Sequence, residues 1–265
     1  MKVLTETWRS AAIGREKSVN VLLPSRYSAT GPPFPVLYLL HGFGGNRNTW
    51  LQCGALPAAV DSAGVVVVLP ESGRSWFIND VRGRRYEDYL VGEVVGHVDG
   101  NFNTAASRDG RGIGGFSMGG AAALYQALRH GEVFSVVCSN AGAFEAPLRE
   151  GDPYHRLREG RRLAIPTTRD HERVWGPVGS DVRREYDPYR ALRHRDARYP
   201  LDVHLDVGLD DHPRMIGMNR RMREALADGS VPHRYRERPG GHDWEFVNAG
   251  LPDLFAFARS RLLSA

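Results

Sequence analysis

Arg111-Gly112-Ile113-Gly114-Gly115-Phe116-Ser117-Met118-Gly119-Gly120-Ala121-Ala122-Ala123-Leu124 is the most informative stretch of this 265-residue chain. Residues 111–115 are short and strand-like, while residues 118–130 are rich in alanine and leucine and stop at Gly131. Between them lies a G-x-S-x-G pattern, Gly115-Phe116-Ser117-Met118-Gly119. Strand, sharp turn and helix form the context that this motif requires around a nucleophilic serine. A serine at such a turn is held in a strained backbone conformation, so its neighbours must be small, as Gly115, Gly119 and Gly120 are. The turn also directs the free N–H groups of the helix N-terminus at the serine oxygen. The same stretch contains G-x-G-x-x-G at Gly110, Gly112 and Gly115. That dinucleotide fingerprint needs a strand before it and an acid closing the next strand. Residues 103–109 are polar and the next strand ends Cys138-Ser139-Asn140, so nucleotide binding is set aside.

On either side of this stretch, β-rich runs alternate with helical ones, which signals an α/β class. Residues 5–12 and 18–23 read as a hairpin around Gly14-Arg15-Glu16. Residues 36–40 and 65–69 are continuous apolar runs, the pattern of strands covered on both faces. Residues 134–139, 201–207 and 233–238 complete the strands, and helices are expected over 86–102, 118–130, 215–227 and 251–263. The expected architecture is a mostly parallel central sheet with antiparallel N-terminal strands and helices on both faces. Residues 143–199 are polar, arginine-rich and broken by prolines. They read as an insertion folded over one end of the sheet, a partial lid within a single domain spanning 1–265.

The remaining chemistry is ordered along the chain as a serine acyl-transfer site requires. His41-Gly42-Phe43-Gly44-Gly45 follows the strand at 36–40. A glycine-rich loop there supplies one backbone donor to an oxyanion, and the residue after the nucleophile supplies the other. These are the N–H groups of Phe43 and Met118. His41 precedes the serine and is read as holding its loop. Gly208-Leu209-Asp210-Asp211 places an acid at a strand end, and Gly240-Gly241-His242-Asp243-Trp244 places a histidine after the last strand. Asp211 is preferred to Asp210 by its offset from Gly208. His242 is the expected base, with the acid orienting it, and Asp243 is the expected cap of the following helix. His204, Asp206, Asp210, Asp211 and His212 match no standard metal spacing, so no metal and no cofactor are expected. Trp50, Trp76, Trp175 and Trp244 are candidate walls of a substrate pocket, and Arg82, Arg84 and Arg85 either meet an acidic substrate or face water.

Composition narrows the rest. Net charge is +4, yet 33 of the 35 basic residues are arginine and they are interspersed with carboxylates. That pattern describes a solvated surface better than a nucleic-acid stripe, so no nucleic-acid partner is expected. No apolar run reaches the ~20 residues of a membrane span. The opening Met1-Lys2-Val3-Leu4-Thr5-Glu6-Thr7-Trp8-Arg9 has no signal-peptide centre, and the expectation is a cytoplasmic protein without a membrane partner. Cys53 and Cys138 read as reduced, buried residues. Neither the oligomeric state nor a role for Cys53 is legible.

With these residues assembled, the chain resembles the Putative esterase (esterase D-like) family of α/β-hydrolases. The resemblance runs through Val19-Asn20-Val21-Leu22-Leu23-Pro24, His41-Gly42-Phe43-Gly44-Gly45, Tyr86-Glu87-Asp88-Tyr89-Leu90 and Gly115-Phe116-Ser117-Met118-Gly119-Gly120. It continues through Trp175-Gly176-Pro177, Asp187-Pro188-Tyr189, Gly208-Leu209-Asp210-Asp211 and Gly240-Gly241-His242-Asp243-Trp244. It implies an α/β-hydrolase fold and a cofactor-free serine esterase acting on a small-molecule ester or thioester through Ser117, Asp211 and His242. Feruloyl, acetyl and tributyrin esterases fit better than S-formylglutathione hydrolases, which carry Gly-Leu-Thr-Cys at the oxyanion loop where this chain has Gly42-Phe43-Gly44-Gly45. Mycolyltransferases resemble the His242 region but are exported. The alternatives are an acyltransferase or thioesterase using the same triad, and a non-catalytic ligand-binding protein on the same fold.

Overall fold

The N-terminal strands β1 (Lys2–Ser10) and β2 (Arg15–Leu23) pair antiparallel, turning through Gly14 at φ +75°. After them come β3 (Val36–Leu40), β4 (Val66–Leu69), β5 (Arg111–Phe116), β6 (Val136–Asn140), β7 (Asp202–Gly208) and β8 (His233–Arg238). This computed structural model describes residues 1–154 and 165–262, and in it the strands form one sheet ordered β1-β2-β4-β3-β5-β6-β7-β8. Pairing is antiparallel as far as β2–β4 and parallel from β4 onward. The apolar runs are continuous because each strand feeds two cores. In β3, Val36, Tyr38 and Leu40 join the core on one face while Leu37 and Leu39 join the other, and β4 divides in the same way.

The helices α1 (Leu56–Ala63), α2 (Tyr86–Asp88), α3 (Val95–Asn101), α4 (Met118–Arg129), α5 (Thr168–Trp175), α6 (Asp181–Glu185), α7 (Pro188–Arg193), α8 (Pro213–Asp228) and α9 (Trp244–Arg261) cover these faces. Residues of α1 and α9 fill one core, and residues of α3, α4 and α8 fill the other. The helical run expected over 86–102 is interrupted by a π-helical segment, Tyr89–Val94. The wider turn keeps Tyr89, Leu90, Val94, Val95 and Val98 buried together, and Gly92 at its centre offers little preference for a regular α-helix. The last helix starts at Trp244 instead of 251, with Pro252 accommodated inside it. Its expected end at 263 lies outside the described residues. α1 was not among the expected helices; eight residues are too few for a clear period.

Of the expected insertion, residues 155–164 lie outside the described residues. Its remaining part consists of short, separately capped helices, which explains the missing period. Thr167 and Asp170 form a reciprocal capping box, and Ser180 and Asp187 cap α6 and α7. Buried Arg183 ties the segment together by donating to the carbonyls of Pro147, Arg149 and Gly176. Tyr186 joins it to the main body by donating to buried Glu87, which also accepts from Arg129 and His130. Among the described residues no helix is long and apolar enough to cross a membrane.

Candidate active site

The loops leaving the C-terminal ends of β3, β5, β7 and β8 converge, as ligand-binding loops do in open α/β sheets. Ser117 stands between β5 and α4 with φ +56° and ψ −112°, a conformation that L-residues rarely adopt. Three backbone bonds hold it there: Ser117 N–H donates to Asn140 O at 2.9 Å, and Ser117 O accepts from Ala121 N–H and Ala143 N–H at 3.0 Å each. The following helix can approach β3 only because position 119 lacks a side chain. A Cβ on Gly119 would lie 2.2 Å from Leu40 O.

His242 Nε2 is 2.8 Å from Ser117 Oγ, and His242 Nδ1 is 2.8 Å from Asp211 Oδ2. An ionised carboxylate only accepts, so Nδ1 carries the proton and Nε2 is free to accept from the Ser117 hydroxyl. Asp211 is buried, and its second oxygen accepts His212 N–H at 2.6 Å. Asp210 is exposed and points elsewhere, accepting Gly240 N–H at 3.1 Å while its own N–H donates to Gly240 O. The acid turn and the histidine loop touch at Gly208, where a Cβ would lie 2.1 Å from Gly240 O. Asp243 caps α9 by accepting Phe246 N–H at 2.8 Å.

Phe43 and Met118 line the same cavity as Ser117 and His242, and neither of their N–H groups has an acceptor among the described residues. The Phe43 loop is held from behind. Buried His41 donates from Nδ1 to Gly42 O at 2.7 Å and accepts Ser72 N–H at Nε2 at 3.0 Å. Burial holds its pKa down to about 4, so the ring is neutral and sits as a strut apart from the serine.

The cavity measures about 90 Å³. Of the four candidate tryptophans, only Trp76 lines it. Trp50 is fully buried, edge-on to Trp244, and Trp244 itself packs on Phe116. Trp175 is likewise core, packed on Trp76, Tyr125 and Tyr186. Sequence reading had no means of separating an aromatic wall from an aromatic core. The walls come instead from Met215 and Met218 on α8 and from Ala143, Ala146, Tyr154 and His171 of the insertion. The methionines carry a usable signal: they are spaced i, i+3 on the helix that follows the acid turn directly. Arg82 and Arg84 line a different cleft, and Arg85 pairs with Asp88.

Among the described residues no group of three or more His, Cys, Asp or Glu side chains is placed to hold a metal ion. Cys53 and Cys138 are free and buried, and burial pushes the Cys53 thiol up to about 11.

An eight-stranded, mostly parallel sheet with helices on both faces and a strained serine at the β5–α4 turn has the α/β-hydrolase fold. The chain belongs to the family described as "Putative esterase", whose model matches residues 10–257. It is 30% identical to Esterase Rv1288 of Mycobacterium tuberculosis over 94% of this chain and 56% of that protein, so it spans about half the length of this relative. It is 29% identical to an acetyl esterase of Caldicellulosiruptor saccharolyticus, over 83% of this chain and 81% of that one. Among solved structures it is similar to FphF, a fluorophosphonate-binding serine hydrolase of Staphylococcus aureus, with TM-score 0.81 and 23% identity over 97% of this chain and 98% of that chain. It is also similar to a ferulic acid esterase, with TM-score 0.78 and 22% identity over 98% of both chains. At these identities the solved structures establish the fold alone.

Proposed function

We propose that this protein is a serine esterase that hydrolyses a carboxylic ester through an acyl-enzyme on Ser117. The carrying observation is the continuous chain of hydrogen bonds from Ser117 Oγ to His242 Nε2 and from Nδ1 to Asp211, at 2.8 Å each. Membership of an esterase family and the name of the acetyl esterase relative support the same reading.

In this mechanism His242 takes the Ser117 proton as Oγ attacks the ester carbonyl. The Asp211 carboxylate stabilises the imidazolium that forms. The oxyanion accepts hydrogen bonds from the Phe43 and Met118 N–H groups, which need no reorganisation because they have no other acceptor; the α4 N-terminus adds its dipole. The imidazolium then protonates the leaving alkoxide, and water deacylates Ser117 by the reverse proton path. The insertion serves as a partial lid within one domain, bounding the acyl cavity with Ala143, Ala146 and Tyr154.

Steady-state hydrolysis of nitrophenyl esters of increasing acyl length, beside a thioester panel, tests the proposal. The acyl length at which the rate falls reads the depth of the apolar cavity lined by Phe43, Trp76, Met215 and Met218. Ser117→Ala is expected to lower the rate at least about a thousandfold with the fold retained. Activity within tenfold of the parent would remove Ser117 as nucleophile.

A further inference from the structure

A second cleft, about 390 Å³, opens behind the Phe43 loop between the β1–β2 hairpin, the segment after β4 and helix α5. Six cationic side chains line it, Arg15, Lys17, Arg74, Arg82, Arg84 and Arg173, against two carboxylates, Glu71 and Asp170. Several of these charges are already engaged. Lys17 pairs with Glu71 at 3.0 Å, Arg82 with Asp80 at 3.0 Å, and Arg74 with Asp170 at a loose 3.5 Å. Three guanidinium groups are not. Arg84 and Arg173 pair with no carboxylate among the described residues, and Arg15 donates to the Tyr86 hydroxyl instead.

The cleft floor adds an independent feature. Ser72 lines it, is 3% exposed, and its hydroxyl has no hydrogen-bond partner. A buried hydroxyl left unpaired is costly unless something outside the protein completes it. A cleft dominated by one sign of charge focuses its field on an incoming counter-ion, and guanidinium groups match the oxygens of a phosphate in paired, charge-assisted hydrogen bonds.

From these features we propose that this cleft is a binding site for a small polyanion of the phosphate class, held by Arg15, Arg84 and Arg173 with Ser72 at its floor. The site is distinct from the cavity at Ser117 and does not depend on the catalytic proposal. It adjoins the oxyanion loop through shared backbone. Ser72 N–H donates to His41, Gly44 N–H donates to Gly73 O at 3.0 Å, and the Arg74 guanidinium lies 5.3 Å from the centre of the Phe43 ring. The anion comes either as a separate effector or as a group carried by the substrate, and the same three arginines serve both.

Calorimetric titration with inorganic pyrophosphate, at fixed ionic strength, reads the site without any need for turnover. Saturable binding at one site per chain is expected, weakening as salt rises. The double variant Arg84→Ala/Arg173→Ala, whose side chains are both exposed, should bind at least about tenfold more weakly, whereas Arg9→Ala on β1 should bind as the parent does. Absence of saturable binding, or equal affinity in the double variant, overturns the proposal. Kinetics then separate the two sources. A changed kcat on a neutral ester when pyrophosphate is added marks an effector, and a lower KM for a phosphate-bearing ester that is lost in the double variant marks a substrate group.

Discussion

Asp210 and Asp211 are neighbours of identical chemistry, and the turn after β7 gives them different work. Asp211 is buried with one oxygen on His242 and the other on a backbone N–H, while Asp210 fastens the histidine loop from the solvent side. Asp211→Asn is therefore expected to lower kcat/KM by about a thousandfold or more, since an amide stabilises neither the tautomer nor the imidazolium. Asp210→Asn should cost less than about tenfold, because its contact is one exposed hydrogen bond. Rates for both variants on one activated ester check this; a larger loss at Asp210 would contradict the geometry. Residue identity was legible here because glycine-framed loops place Ser117, Asp211 and His242 in chain order. It was not legible for Trp50, Trp175 and Trp244, since an indole fills a core and lines a pocket equally well. Of the cavity walls, Met215 and Met218 carry an i, i+3 signal after the acid turn, whereas Tyr154, Ala143 and Ala146 depend on how the insertion packs, which short-range pattern does not encode.

The elements most open to sequence reading were those whose pattern follows from burial. β3 and β4 are apolar at every position because both faces are covered, so their runs stand out. The helical run expected over 86–102 was legible in its apolar spacing but not in its π-helical turn, which arises from tertiary packing of Tyr89, Leu90 and Val94. α9 shows how a cap settles a boundary that periodicity leaves open. Asp243, one residue after His242, accepts Phe246 N–H, so the helix start and the His242 loop share a fixed point. Asp243→Ala should cost about 1 kcal/mol in denaturant unfolding. The same variant should lower turnover by a smaller factor than Asp211→Asn, because the cap positions His242 without touching it. Unchanged stability would show that the cap is not holding this end of α9.

Across the whole molecule, three histidines are buried, His41 and His171 against the neighbouring rings of Phe77 and Trp76 and His204 against Phe257. Burial lowers the pKa of His41 and His204 to about 4 and that of His171 to about 3. Unfolded histidines take up protons near pH 6.5, so the unfolded chain binds more protons than the folded one below that value. The stability that these three histidines govern should be fullest above pH 6.5 and be lost progressively as pH falls toward 4. Glu71 and Glu145, held below their ordinary pKa by Lys17 and Arg221, add loss in the same direction at the acid end. His204 isolates the effect, because both ring nitrogens are buried without partners against Phe257. His204→Leu should keep pH 7 stability within about 1 kcal/mol or raise it, and should flatten the fall in Tm between pH 6.5 and 4; an unchanged pH slope would contradict the assignment. The proposed reaction needs one strained serine with its hydroxyl oxygen 2.8 Å from the His242 imidazole. Mass spectrometry of the intact protein and its peptides after exposure to a fluorophosphonate tests that arrangement at its reactive atom. One phosphonyl group should be found, on the peptide containing Ser117, with labelling abolished in Ser117→Ala and strongly slowed in His242→Ala. An unlabelled parent protein, or equal labelling of Ser117→Ala, would contradict it.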